Sequence, residues 1–197
     1  MRQILIVLFL FSAVLLKAQE TRVFVFLNSR QDKEIISEEA TAELMKEHLA
    51  NIEKMAKDGK LLVAGPFDGG GGIFLFNTAD VSLTKEWLQS DPAIRANRWN
   101  LEILQVAFDK GGACLAQEPY EMVTYNFMRV NLINDIANYK MNNTDIHGWQ
   151  EATAADSVLA VGRFPQYEGG FIVYKGDQVA WKEAFSEDQV ALQNKVL

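Results

Sequence analysis

Between Arg22 and Ser29 the chain reads RVFVFLNS, a run of β-branched and aromatic residues that predicts a strand. The period then changes. Leu44, Met45, Leu49, Ile52 and Met55 recur at spacings of three and four, which predicts a helix with one buried face. Ser37 suits its N-cap, Glu38 and Glu39 favour the positive helix start, and Gly59 suits the stop. Leu61 to Phe67 and Ile73 to Phe76 are short apolar runs around the turn sequence PFDGGGG, so they predict a hairpin. Ser82 to Gln89 predicts a second, shorter helix. Trp99 to Phe108 predicts a last strand with Trp99, Leu101 and Ile103 on one face. Strand-helix-strand-strand-helix-strand is the ferredoxin-like, split βαβ order, with helices on one face of an antiparallel sheet.

The pattern then returns. LLVAGPFDGGGGIFLFNTADVSLTKEWLQSDPAI from Leu61 matches SVLAVGRFPQYEGGFIVYKGDQVAWKEAFSEDQVAL from Ser157. Gly65 aligns with Gly162, Phe67 with Phe164, Lys85-Glu86 with Lys182-Glu183 and Asp91 with Asp188, all at an offset of 97. Gly71-Gly72 and Gly169-Gly170 match with one extra residue inserted. The second copy therefore predicts a strand from about Met122, a helix from about Ile133, strands at Ser157 and Gly169, and a helix near Gln178. Asn142, Asn143 and Gly148 interrupt its first helix, and the chain stops at Leu197 where a final strand is due. The expected organisation is an export signal at 1–18, a first module at 19–108, a linker at 109–119 and a degenerate second module at 120–197. A sheet with helices on one face must bury the other face against something. The two modules can face each other, giving an α+β fold in which one chain forms a pseudo-dimer.

Residues 1–20, MRQILIVLFLFSAVLLKAQE, place Arg2 before a 13-residue run from Ile4 to Leu16 that is apolar but for Ser12. A helical membrane span needs about 20 apolar residues, so this run has the length of a signal-peptide core. Ala18, with Leu16 two places before it, suits cleavage just before Gln19. Removing residues 1–18 leaves seventeen basic against twenty-six acidic side chains, a net charge of -9. The expectation is a soluble protein, periplasmic or extracellular, with no membrane attachment after processing. The chain has 197 residues, 49% of them hydrophobic and 23% charged, which is a globular composition rather than a disordered one. Its charges are interspersed, so no nucleic-acid footprint is present. Cys114 is the single cysteine, which excludes an internal disulfide framework.

EHLANIEKMAKDGKLLVAGPF followed by GGIFLFNTADVSLTKEWLQSDPAI resembles the YCII-related domain family. The resemblance rests on His48-Leu49, Asp58-Gly59-Lys60-Leu61-Leu62, Ala64-Gly65-Pro66, Gly69 to Gly72 and Asp91-Pro92, in that order, and covers about Arg22 to Phe108. It implies a ferredoxin-like fold dimerising into an α+β barrel, here within one chain. Functions in the family are mostly unassigned; a His and Asp pair is regarded as its active site, and one relative acts in dehalogenation of a chlorinated aromatic ring. By this resemblance His48 and Asp91 hold the catalytic positions. Family members are usually single-module and cytoplasmic, so duplication and export are departures.

His48 lies on or beside the buried stripe of its helix, and histidine titrates near physiological pH, so it suits a general base or acid. The competing reading is a core histidine. Asp91 before Pro92 is also what a helix start looks like, with Asp as N-cap and Pro at the first helical position; one carboxylate can cap and pair at once. Ala64, Gly65, Pro66 and Phe67 are expected to wall the pocket. At the same offset His48 becomes Asp145, and His147 lies two residues on, rotated by about 200° on a helix. Asp188 keeps no clear histidine partner. Gly69 to Gly72 is followed by a strand and by no Lys-Ser or Lys-Thr, so it is a turn and not a phosphate loop. Two histidines and one cysteine do not make a zinc site without carboxylates. The expected ligand is a small organic molecule, with no metal or nucleotide cofactor implied. The expected chemistry is proton transfer through His48 oriented by Asp91. The alternative is a non-catalytic binding or structural module.

Overall fold

A computed structural model describes residues 21–115, 122–131, 143–167, 169–176 and 190–196. The export signal, the helix expected near Gln178, Trp181 and Asp188 lie outside these residues.

The first strand, β1 (Thr21–Ser29), is central: Val25 lies opposite Phe74 of β3 (Gly72–Phe76) on one side and Ile103 of β4 (Trp99–Lys110) on the other, both antiparallel. The helix α1 (Glu38–Lys57) starts where the sequence places it. Ser37 Oγ accepts from the Ala40 N–H at 3.2 Å, and Gly59 follows the helix end at φ +70°. β2 (Leu61–Pro66) and β3 form the expected hairpin, with Pro66 opposite Gly72. In its turn Gly71 has φ +77°, and a Cβ there would collide with the Leu27 carbonyl oxygen. The glycine run is thus a steric requirement of this turn. α2 (Val81–Leu88) is capped by Asp80, and a further short helix, α3 (Pro92–Arg95), is capped by Asp91.

Five successive residues of β1, Val23 to Leu27, are buried, because both faces of the strand are covered. Val23, Val25 and Leu27 pack under the helices with Met55, Phe74, Phe76, Leu88 and Ile94. Phe24 and Phe26 point the other way and meet Phe127, Phe164 and Phe171 from beyond residue 120. Ring centroids are 4.7 Å apart for Phe24–Phe171 and 5.9 Å for Phe26–Phe127. Burial of each such ring stabilises by about 1.5–3 kcal/mol, and each ring pair adds roughly 0.5–1.5 kcal/mol. The face of the first sheet half that carries no helix is therefore sealed by aromatics of the second.

That second half comprises β5 (Tyr125–Asn131), α4 (Asn143–Ala154), β6 (Val158–Arg163), β7 (Gly169–Tyr174) and β8 (Val190–Val196). The eight strands among the described residues join one antiparallel sheet in the order β2-β3-β1-β4-β6-β7-β5-β8. Counted separately, each group of four runs second-third-first-fourth. Trp149, Ala152, Val158 and Ile172 form a third core between α4 and the sheet. Arg129 lies opposite Phe171, as Phe26 lies opposite Ile73. Its guanidinium sits 4.6 Å over the Phe26 ring and makes two bonds, 2.6 and 2.7 Å, to the Glu102 carboxylate of β4.

Three expectations are corrected. The second half does not lack its last strand: β8 runs antiparallel to β5, with Arg129 opposite Leu192. VALQNKV carries Val190, Leu192 and Val196 two and four residues apart, a strand period, whereas the offset of 97 aligns its start with Ala93, just after Asp91-Pro92. Gly148 does not break α4, which begins at Asn143 and runs through it; packing of Trp149 and Ala152 against the sheet outweighs a glycine penalty of about 1 kcal/mol. β4 continues to Lys110, past the expected start of the linker, because Ala107 to Lys110 pair with Val161 to Arg163 of β6.

Candidate functional site

His48 projects from the middle of α1 onto the sheet and is 6% exposed. Its ring lies against Trp99, centroids 4.9 Å apart, and against Phe74 at 6.1 Å. Its Nδ1 lies 2.7 Å from Asp91 Oδ2. Asp91 is fully buried as the N-cap of α3. The two roles that compete in the sequence are divided between its oxygens. Oδ1 accepts from the backbone N–H groups of Ala93 and Ile94, at 2.9 and 3.2 Å, while Oδ2 serves His48.

Asn51 was not visible as a site residue. It stands one turn from His48 on α1, and its Nδ2 donates to the same Asp91 Oδ2 at 3.3 Å. Its own Oδ1 lies 3.0 Å from the Ser90 hydroxyl, which also reaches the Trp87 carbonyl at 2.7 Å. Every other contact to the Asp91 carboxylate is therefore an N–H donor. An ionised carboxylate only accepts, so this network assigns the proton of neutral His48 to Nδ1. Nε2 then carries the lone pair, and it has no hydrogen-bond partner among the described residues. The usable signal was positional: Asn51 is three residues from His48, and Ser90 precedes Asp91.

The His48 ring lines a cavity of about 420 Å³. Met45, Leu49 and Ile52 of α1 form one wall, Ala64, Gly65 and Pro66 of β2 another, and Gly72 and Phe74 of β3 with Trp99 the floor. This volume falls among small-molecule sites, which run from about 300 to 1,000 Å³. Among the described lining residues His48 is the only titratable side chain, and the rest of that wall is almost wholly apolar. Leu49, expected in the core, is 60% exposed and borders this cavity instead. Of the expected wall residues, Ala64, Gly65 and Pro66 line the cavity. Phe67 does not: it is buried in the aromatic layer between the two sheet halves, 5.4 Å from the Phe127 ring. Alternation along the strand explains this, since Phe67 follows Pro66 and faces away from α1. Asp91 does not reach the cavity and touches it only through His48.

In the second half Arg163 stands where the sequence comparison puts Pro66, and it makes two bonds to the Asp109 carboxylate. His147 lies within α4, and its side chain, like that of Asp145, lies outside the described set. Among the described residues no group of three or more His, Cys, Asp or Glu is placed to hold a metal ion.

Residues 21–106 match the model of the YCII-related domain. Among solved structures, a "putative monooxygenase from Lactobacillus acidophilus NCFM" is similar over 90% of this chain and 93% of that chain, with 12% identity and a TM-score of 0.47. No curated protein matches the chain.

Proposed function

We propose that the chain is an exported, two-module member of the YCII-like proteins that performs acid/base chemistry on a small, mainly apolar organic molecule in the His48 cavity. One observation carries the reading: a buried imidazole is paired through Nδ1 to a buried carboxylate, and the same ring lines an apolar cavity. A histidine held in this way presents a basic Nε2 to whatever enters. Proton abstraction from an acidic C–H or O–H of the ligand forms an N–H bond at Nε2 and leaves the electron pair on the ligand. The resulting imidazolium is stabilised by Asp91, 2.7 Å from Nδ1, and the ligand anion pairs with the imidazolium itself. Among the described residues no lysine, arginine, aspartate or glutamate lines the cavity, which favours an uncharged ligand. The match of residues 21–106 to the YCII-related domain supports the assignment of the pair. The shared strand order of the two sheet halves supports two ferredoxin-like modules closing on each other as a pseudo-dimer, a dimeric α+β barrel in one chain.

A second reading has its own support. Among the described lining residues His48 is the only titratable side chain, and none besides it carries a charge to meet one developing on a ligand. On that reading the chain is a binding module, and His48 orients a ligand by one hydrogen bond. A screen of small uncharged organic molecules against the processed protein, by thermal shift and by product analysis, separates the readings. Turnover by the native chain that is lost in His48→Ala, with binding kept, supports proton transfer. Binding without turnover supports the module. Binding unaffected by His48→Ala refutes both.

A further inference from the structure

The registers of the two sheet halves set up a comparison that rests on the two-module reading above. Gly72 lies opposite Leu27 and Pro66, and Gly170 lies opposite Val130 and Arg163. The offset of 97 then places Trp149 at Ile52 and Arg163 at Pro66, two wall positions of the His48 cavity. Gly72 borders the His48 cavity. At Gly170 a Cβ would instead come within 2.7 Å of Trp149 Cη2, so the indole lies directly on the strand. Trp149 is 7% exposed and packs with Val130 and Ile172, the helix-side neighbours of Gly170. The ring is also tethered. Its Nε1–H donates to Asp109 Oδ2 at 2.9 Å, and Arg163 holds that carboxylate through both oxygens.

We infer that the second half contains a counterpart of the His48 cavity and that Trp149 is its fixed occupant. Among the described residues the first half thus offers an open site and the second a self-filled one. The filled site is shaped for a small apolar ring carrying one N–H donor directed at Asp109. Replacing an aliphatic residue with an indole at one helix position converts a void into core, so the second half trades binding for packing.

Reciprocal variants of the full chain test this. Trp149→Gly empties the site and is probed with indole. The expected result is a saturable rise in unfolding temperature, with NMR contacts from indole to the Val130 and Ile172 methyls that the native chain does not show. Adding Asp109→Ala to that variant weakens indole by about tenfold and leaves indene, which lacks the N–H, unaffected. Ile52→Trp runs the converse: the introduced indole contacts the Gly72 α-protons and fills the first cavity. If Trp149→Gly does not fold alone, recovery of the folded spectrum by indole supports the proposal, and no recovery overturns it. A folded Trp149→Gly without indole contacts at Ile172 overturns it, as does an Ile52→Trp whose ring stays away from Gly72. None of these readouts depends on His48 chemistry, so failure here is distinguishable from failure of the acid/base reading.

Discussion

Asp91 is asked to do two jobs, and a pair of substitutions separates them. Asp91→Ala removes both. Loss of an N-cap costs about 1 kcal/mol. The buried donors left behind, on His48 and Asn51, add about 1–3 kcal/mol more, for a total of about 3 kcal/mol. Asp91→Asn keeps the cap, because an asparagine oxygen accepts from the Ala93 and Ile94 N–H groups as the aspartate oxygen does. Its amide nitrogen, however, then faces His48 Nδ1 and donates to it. The ring must carry its proton on Nε2, and the lone pair offered to the cavity disappears. Asp91→Asn is therefore expected to lose about 1 kcal/mol less stability than Asp91→Ala while inverting the histidine tautomer. Urea unfolding measures the first: at a slope of about 2 kcal/mol per molar, 3 kcal/mol moves the midpoint by roughly 1.5 M. Nitrogen-15 shifts of the His48 ring measure the second. Equal losses for the two variants, or an Asp91→Asn protein whose ring still carries its proton on Nδ1, would refute the division of labour between the two carboxylate oxygens.

Other outcomes follow from the same coordinates. Gly71→Ala forces a side chain onto the Leu27 carbonyl at φ +77° and is expected to cost at least about 2 kcal/mol in urea unfolding; a loss under about 0.5 kcal/mol would contradict the steric account. Phe171→Ala, in the second half, is expected to cost about 3–5 kcal/mol and to destabilise both halves together, read by tryptophan fluorescence and far-ultraviolet dichroism as one coincident transition. The hydrogen bond from Lys54, 2.7 Å away, holds the Asp58 carboxyl below the usual aspartate range, with the Lys54 and Lys60 charges assisting. A lowered folded value means that its contribution is present above the unfolded aspartate range and is lost as pH falls through the folded one. Carboxyl NMR titration of Lys54→Ala should accordingly show the Asp58 midpoint moving up.

Local signals in the chain were legible where one residue does one thing. Ser37 caps α1, the glycine run turns the hairpin, and Asp91-Pro92 opens α3, because caps and turns depend on a few neighbouring backbone groups. Strand alternation failed at β1 for a physical reason: with helices on one side and the other sheet half on the opposite side, every position is buried and no period survives. The aromatic layer of Phe24, Phe26, Phe127, Phe164 and Phe171 joins residues far apart in sequence, so Phe67 read as a pocket wall when it belongs to that layer. Asn51 escaped notice because its function lies in a hydrogen bond 40 positions away. β8 escaped because repeat comparison carries over the length of the first copy, whereas Val190, two residues after Asp188, is already in the strand.

The Arg129–Glu102 bridge has a consequence for assembly. Its two ends occupy unlike register places: Arg129 stands where the first half has Phe26, and Leu192 stands where the first half has Glu102. Two second halves meeting through the same surface would bring guanidinium against guanidinium, an arrangement that costs several kcal/mol. Two first halves would instead leave Glu102 without its cation. Only unlike halves satisfy both, so the bridge selects against pairing of like halves.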